Sequence, residues 1–136
     1  MAATDDDGNT DSEAFTVTVN DLVEVASYTI DPITDTSVDE NAAFTSVTPA
    51  LSGDAPFGNV TYILSCTDAA LFTVNSSTGV VSMVSRDFEA PVDANSDNVY
   101  ELTLVATDDD GNTDSENFTV TVTDVAEAAV FTTDAI

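Results

Sequence analysis

Carboxylates dominate what this chain can do chemically. Asp and Glu number 26 in 136 residues, against one basic residue, Arg86, with no Lys and no His. The densest run, Asp108-Asp109-Asp110-Gly111-Asn112-Thr113-Asp114, occurs a second time as Asp5 to Asp11. Such side chains offer oxygen and little else, which suits hard cations. Zinc and copper sites draw on His or several Cys, and the sequence lacks them. Solubility or adaptation to salty surroundings is the blander reading of the same charge. Carboxylates are also the only acid–base groups available. A paired-carboxylate glycosidase needs a cleft that a chain this small does not suggest, so an enzyme is not expected.

The charge excludes other partners. Phosphate binding draws on Lys and Arg, so nucleic acid is not an expected partner. An anionic membrane surface would repel the chain, and no apolar run approaches bilayer-spanning length. Cys66 is the only cysteine, so no intrachain disulfide forms, and it is expected to act as a small buried hydrophobe.

The repeated phrase organises the chain. Residues 3–21, ATDDDGNTDSEAFTVTVND, match residues 106–124, ATDDDGNTDSENFTVTVTD, at all but two positions. The likeness continues more loosely, with Glu24 on Glu127, Tyr28 on Phe131, Asp31 on Asp134 and Ile33 on Ile136. Self-similarity at a fixed offset marks a repeat array, and an offset of about a hundred residues is the size of one domain. Residues 1–24 therefore read as the end of a preceding repeat plus linker, 25–126 as a complete domain, and 127–136 as the start of the next. Met1 precedes the middle of a repeat with no secretory h-region behind it, which reads as an added start. Residues 1–20 are expected to be disordered, to pair with a sheet edge, or to swap, with Phe15–Asn20 standing in for Phe118–Thr123 of another copy.

Strands must position the acids. Tyr100, Leu102, Leu104 and Ala106 alternate along one face, as do Phe118, Val120 and Val122. Val60, Tyr62 and Leu64 mark a third strand, Val81 and Met83 a fourth, and Phe72 and Val74 a fifth. Tyr28, Ile30 and Ile33 suggest one strand near the start, and AAFTSV (42–47) another. Asn75-Ser76-Ser77-Thr78-Gly79 is a turn by its chemistry. Seven strands with polar turns predict an all-β fold, an antiparallel β-sandwich of immunoglobulin-like type.

Four motifs in order carry a family resemblance: VDEN (38–41), LFTVNSSTGVVSM (71–83) followed by SRDFEAP (85–91), YELTLVATDDDG (100–111), and FTVTVTDVAEAAVF (118–131). Together they resemble a cadherin repeat, and their phrasing is similar to cadherin-like domains of large bacterial surface proteins. The resemblance implies an extracellular or cell-surface Greek-key sandwich of seven strands, stacked end to end with neighbouring repeats and binding Ca2+ at the junctions. Glu40 matches the acid of the family's proline-glutamate-asparagine motif. Asp87 and Glu89 match the acids of its leucine-aspartate-arginine-glutamate motif, Asp124 and Glu127 those of the linker, and Asp108 the acid that opens the loop before the last strand.

Topology then predicts two poles. In an up-and-down sandwich of seven strands the first loop, the fifth-to-sixth loop and the chain exit share an end, so Glu40, Asp87, Glu89, Asp124 and Glu127 should converge there. Two like charges about 4 Å apart repel by roughly 4 kcal/mol at an effective dielectric of about 20, and one Arg cannot offset five carboxylates. Calcium, which takes oxygen ligands in flexible geometry, suits such a site. Asp108, Asp110, Asp54, Asp21 and Glu24 should gather at the other pole, where the 108–114 loop meets LSGDAPFGN (51–59) and the entering linker. Ala126 stands where the family's linker has Asn, and Asp54 is alone where an Asp-x-Asp pair is usual. Weak, millimolar-range calcium binding is the expectation.

Two further patterns have competing readings. DDDGNTD resembles the opening of an EF-hand loop, but Thr113 stands at the turn-Gly position, no closing Glu follows, and the flanks read as strands. A carbohydrate-binding module attaching to polysaccharide is the alternative function, with Tyr28, Phe57, Phe88 and Phe131 as stacking candidates and Phe57 foremost. Asn59, Asn75 and Asn117 fit the glycosylation pattern in a chain rich in Thr and Asn. Homophilic contact between copies is a further possible partnership.

Overall fold

Alternation along residues 99–107 and 113–123 builds the longest ladder of the fold. In the computed structural model, which describes residues 1–128, these two stretches form a nine-residue and an eleven-residue strand. In chain order the strands are β1 (Ala2–Thr4), β2 (Thr10–Ser12), β3 (Tyr28–Ile30), β4 (Thr36–Asp39), β5 (Phe44–Thr45), β6 (Leu51–Gly53), β7 (Thr61–Ser65), β8 (Thr73–Val74), β9 (Val81–Met83), β10 (Val99–Thr107) and β11 (Thr113–Thr123), with a 3-10 turn at Ala69–Leu71.

One layer is a sheet in the order β4-β11-β10-β7. Two smaller sheets, β3-β6 and β5-β9-β8, make up the other. Tyr100, Leu102, Leu104, Ala106, Phe118, Val120 and Val122 turn inward from the first layer and meet Tyr28, Ile30, Phe44, Phe72, Val81 and Met83. Phe72 stacks edge-on against both Phe44 and Tyr100. The all-β sandwich read from the alternation is the observed one.

Three local features depart from that reading. The first strand does not run through Ile33. It stops at Ile30, and Asp31-Pro32, where proline supplies no N–H, leads the chain across to the other layer. There β4 pairs with β11 in parallel, Val120 beside Thr36 and Thr123 beside Asp39. Cys66 is exposed rather than buried: β7 has ended at Ser65, and Cys66 adopts a φ of 100° as the chain turns toward the 3-10 segment. Residues 2–12 pair with no strand of the sandwich. They close on themselves as the β1–β2 hairpin, because their turn is satisfied by its own side chains. No strand follows between residues 13 and 27.

The 75–79 turn behaves as its chemistry implies. Asn75 Oδ1 accepts from Ser77 N and Thr78 N, and Gly79 takes a φ of 72° against Pro49 and Tyr62, where a Cβ would collide.

Candidate metal centre

The parallel pairing of β4 with β11 places Glu40 beside the chain exit. Glu40 N donates to Thr123 O at 2.9 Å. Its carboxylate then bridges two other segments: Oε1 accepts from Val125 N at 2.8 Å and Oε2 from Phe88 N at 3.1 Å. Glu40 is buried. Glu89 and Glu127 bring one carboxylate oxygen each to the same place, so that ligand atoms of Glu40, Glu89 and Glu127 lie within 4.8 Å of one another. Asp87 is tied in through Oδ1, which accepts from Glu89 N at 3.0 Å. The Asp124 charge adds to the repulsion that Glu89 meets. Glu40, Glu89 and Glu127, distant in sequence, thus bring carboxylates to one end of the sandwich.

Their protonation behaviour differs for physical reasons. The N–H groups of Val125 and Phe88 hold Glu40 below the usual carboxylate range, against the opposing effect of burial. Glu89 goes the other way. A backbone hydrogen bond favours its charge, but burial, hydrogen bonding with Asp87 and repulsion from Glu40 and Asp124 together raise it. Arg86 does not relieve this crowding directly, since its Nη2 donates to Leu71 O at 3.0 Å.

The loop that presents Asp87 and Glu89 is pinned by groups absent from the sequence reading. Asp68 and Asp93, both buried, spend their oxygens on backbone donors: Asp68 on Ala94 N and Glu101 N, Asp93 on Asp97 N and Asn98 N. Asn98, at a φ of 63°, donates Nδ2 to Phe88 O at 2.9 Å. No sequence signal sets Asp68 apart, since Ala69-Ala70-Leu71 follow it.

The opposite pole gathers Asp108, Asp110, Asp54 and the backbone of Glu24. Asp108 is buried; Oδ1 accepts from Asp110 N, Asn112 N and Asn112 Nδ2, and Oδ2 from Phe57 N and Asn112 Nδ2. Burial pushes its carboxyl up, but these donors outweigh burial and leave it below the usual range. Asp109 Oδ2 accepts from Asn59 N at 2.8 Å, close over Gly58, whose φ of 71° and missing Cβ let the loop pass. Asp110 Oδ2 accepts from Glu24 N, and Asp54 Oδ2 from Ser27 N. Asp21 is exposed, and none of these bonds involves it.

The stacking candidates fare differently from the acids. Tyr28 is buried, with its hydroxyl donating to Asn112 O at 2.6 Å. Phe88 packs against the core, and Phe57 is half-buried with its backbone tied to Asp108 and Asp109. Phe131 lies outside the described residues, as does the 129–136 part of the proposed next repeat.

No family model matches the sequence, and no curated protein does. Solved structures do match in fold. Mouse cadherin-23 EC22-24 aligns with a TM-score of 0.57 and 21% identity over 74% of this chain and 32% of its own. Drosophila N-cadherin EC1-4 aligns at 0.54 and 24% identity, over 68% of this chain and 23% of its own. Mouse clustered PcdhgC3 EC1-3 aligns at 0.56 and 19% identity, over 73% and 34%. This chain spans between 23 and 34% of the length of those chains. It has the fold of a cadherin extracellular repeat.

Proposed function

We propose that this chain is a calcium-binding repeat module of an extracellular or cell-surface adhesion protein, an extender whose junctions with neighbouring repeats are stiffened by the ion. The meeting of Glu40, Glu89 and Glu127 carries the reading. Three negative groups, one of them buried, have been brought together from distant stretches of a chain with a single Arg. Asp87 and Asp124 complete an all-oxygen set of the kind calcium takes. The ion would supply the positive charge that this end lacks. Bound there, it would join the β4 end, the 87–89 loop and the exit segment, fixing the direction in which the chain leaves the sandwich. The partners of such a module are the repeats before and after it and, in adhesion, other copies. A bacterial surface protein as its parent rests on the phrasing of the motifs alone. No observation favours the polysaccharide alternative at Phe57.

Thermal unfolding with calcium, magnesium and chelator tests the reading. At calcium about ten times Kd, stabilisation is about 1.4 kcal/mol, a Tm gain of roughly 5–10 °C for a domain this size. The gain should saturate with calcium and be smaller with magnesium, which demands stricter geometry. Equal, unsaturating gains with both ions would reduce the site to counterion screening.

A further inference from the structure

The duplicated stretch adopts one local structure twice. β1 and β2 pair Ala2 with Ser12, Ala3 with Asp11 and Thr4 with Thr10. β10 and β11 pair Val105 with Ser115, Ala106 with Asp114 and Thr107 with Thr113, the same register. Asp5 Oδ1 accepts from Asp7 N and Asn9 N at 3.0 and 2.8 Å, where Asp108 Oδ1 accepts from Asp110 N and Asn112 N at 3.1 and 2.8 Å. Gly8 and Gly111 have φ values of 83° and 85°. The copies diverge only after the turn. Phe118, Val120 and Val122 are 3, 0 and 1% exposed, while Phe15, Val17 and Val19 are 70, 78 and 91% exposed.

We propose that residues 10–20 are a donor strand that enters the β11 position of a second copy, between its β10 and β4, with the acceptor's β10 displacing β1 from residues 10–12. Side chain for side chain the fit is already present in the molecule. Phe15 takes the place of Phe118 opposite Leu102, and Val17 that of Val120 opposite Tyr100. Only two positions differ. Ala14 forgoes the exposed bond between Thr103 and Asn117. Asn20 replaces Thr123, whose hydroxyl reaches Val38 O and Asp39 Oδ1, with an amide that is also a donor.

The acceptor cannot be the chain's own sandwich. In the β11 position residue 20 would end at the Glu40 pole, whereas β3 starts at the pole of the 108–112 loop, which Tyr28 reaches through its hydroxyl. The eight steps from residue 20 to residue 28 span at most about 29 Å, and the ten steps of an eleven-residue strand run about 33 Å. A second copy satisfies the geometry, with the donor's sandwich beyond the acceptor's Glu40 pole. This head-to-tail contact is heterologous, so it builds rings or open ladders rather than closed two-fold dimers. In the folded monomer β11 keeps its place because the turn at 108–112 holds it beside β10. In the unfolded chain at high concentration both strands compete for the position, and the outcome is locked once the sandwich closes. The inference is independent of calcium.

Variants of the 136-residue chain test it by light scattering and thermal unfolding. Phe118→Asp disables β11 and leaves the donor intact; it should fold as a ladder of dimers, trimers and higher forms. Phe15→Asp/Phe118→Asp has neither strand and should be unfolded at every concentration. Phe15→Asp alone should be a folded monomer and should lose the oligomers that the parent chain forms when refolded at millimolar rather than micromolar concentration. Phe118→Asp as unfolded as the double variant, or folded as a monomer, overturns the proposal. Oligomers that persist in the double variant also overturn it.

Discussion

The two ends of the sandwich are comparably rich in carboxylates but use them in opposite ways. At the 108–112 end, Asp108, Asp109, Asp110 and Asp54 each accept from backbone N–H groups of another loop or of their own. Their charge is consumed in fastening the turn, the 51–59 loop and the entering segment to one another. At the Glu40 end Glu40 spends one oxygen on Val125 N and one on Phe88 N, and Asp87 one on Glu89 N. Glu89 and Glu127 bring further charge to the same small volume, and the raised pKa of Glu89 records the crowding. An acidic cluster is therefore not one kind of object. Where backbone donors meet it the cluster is a fastener, and where carboxylates meet each other it is a concentration of like charge.

Breaking the fastener should have the largest effect. Asp108→Ala removes acceptors for Phe57 N, Asp110 N and Asn112 N together, and Tm should fall on the order of 10 °C or more. The fall should be the same in calcium and in chelator. A loss that calcium restores would show that this end, too, depends on the ion.

Removing charge from the other end should have a smaller and opposite effect. Glu40 and Asp108 lie below the usual range, so they stabilise the fold above the unfolded carboxyl pKa and lose that contribution as pH falls through their folded values. Glu89 lies above it. The folded state holds its proton more tightly than the unfolded chain does, so stability declines as pH rises through its folded value and stays diminished at neutral pH. Glu89→Gln should therefore raise Tm at pH 7 in chelator by a few degrees, flatten the decline in that window, and remove the calcium gain. A lowered Tm in chelator would contradict the repulsion on which the site rests.

The smallest effect sharpens the comparison from the fastened side. Asp110 accepts one exposed bond, from Glu24 N. Asp110→Asn keeps a carbonyl acceptor and should shift Tm by less than about 4 °C, with the calcium response intact. A lost calcium response would assign the ion to the wrong end.

Much of this was legible before any coordinates. Alternation marked β10 and the second half of β11 because their inward residues are large and their outward ones are Thr. β4 and the first half of β11 carry no such pattern: Val38 is the only apolar residue in Thr36–Asp39, and Thr113–Asn117 is wholly polar. Pairing with a neighbour makes them strands, and propensity alone does not show it. The convergence of Glu40, Glu89 and Glu127 followed from topology, but the buried Asp68 and Asp93 did not, since a buried Asp spent on backbone donors looks like any other Asp in sequence. The break after Ile30 was misread because Ile33 kept the apolar count going past Pro32. Cys66 was misread because its type favours burial, while the end of β7 decided its place.

A calcium titration followed by backbone NMR tests the central claim most directly. Saturating shifts should appear at Glu40, Phe88, Glu89, Asp124, Val125 and Glu127, with the 108–114 amides nearly still. Shifts that scatter along every acidic stretch without saturating, or that centre on Asp108–Asp114, would contradict it.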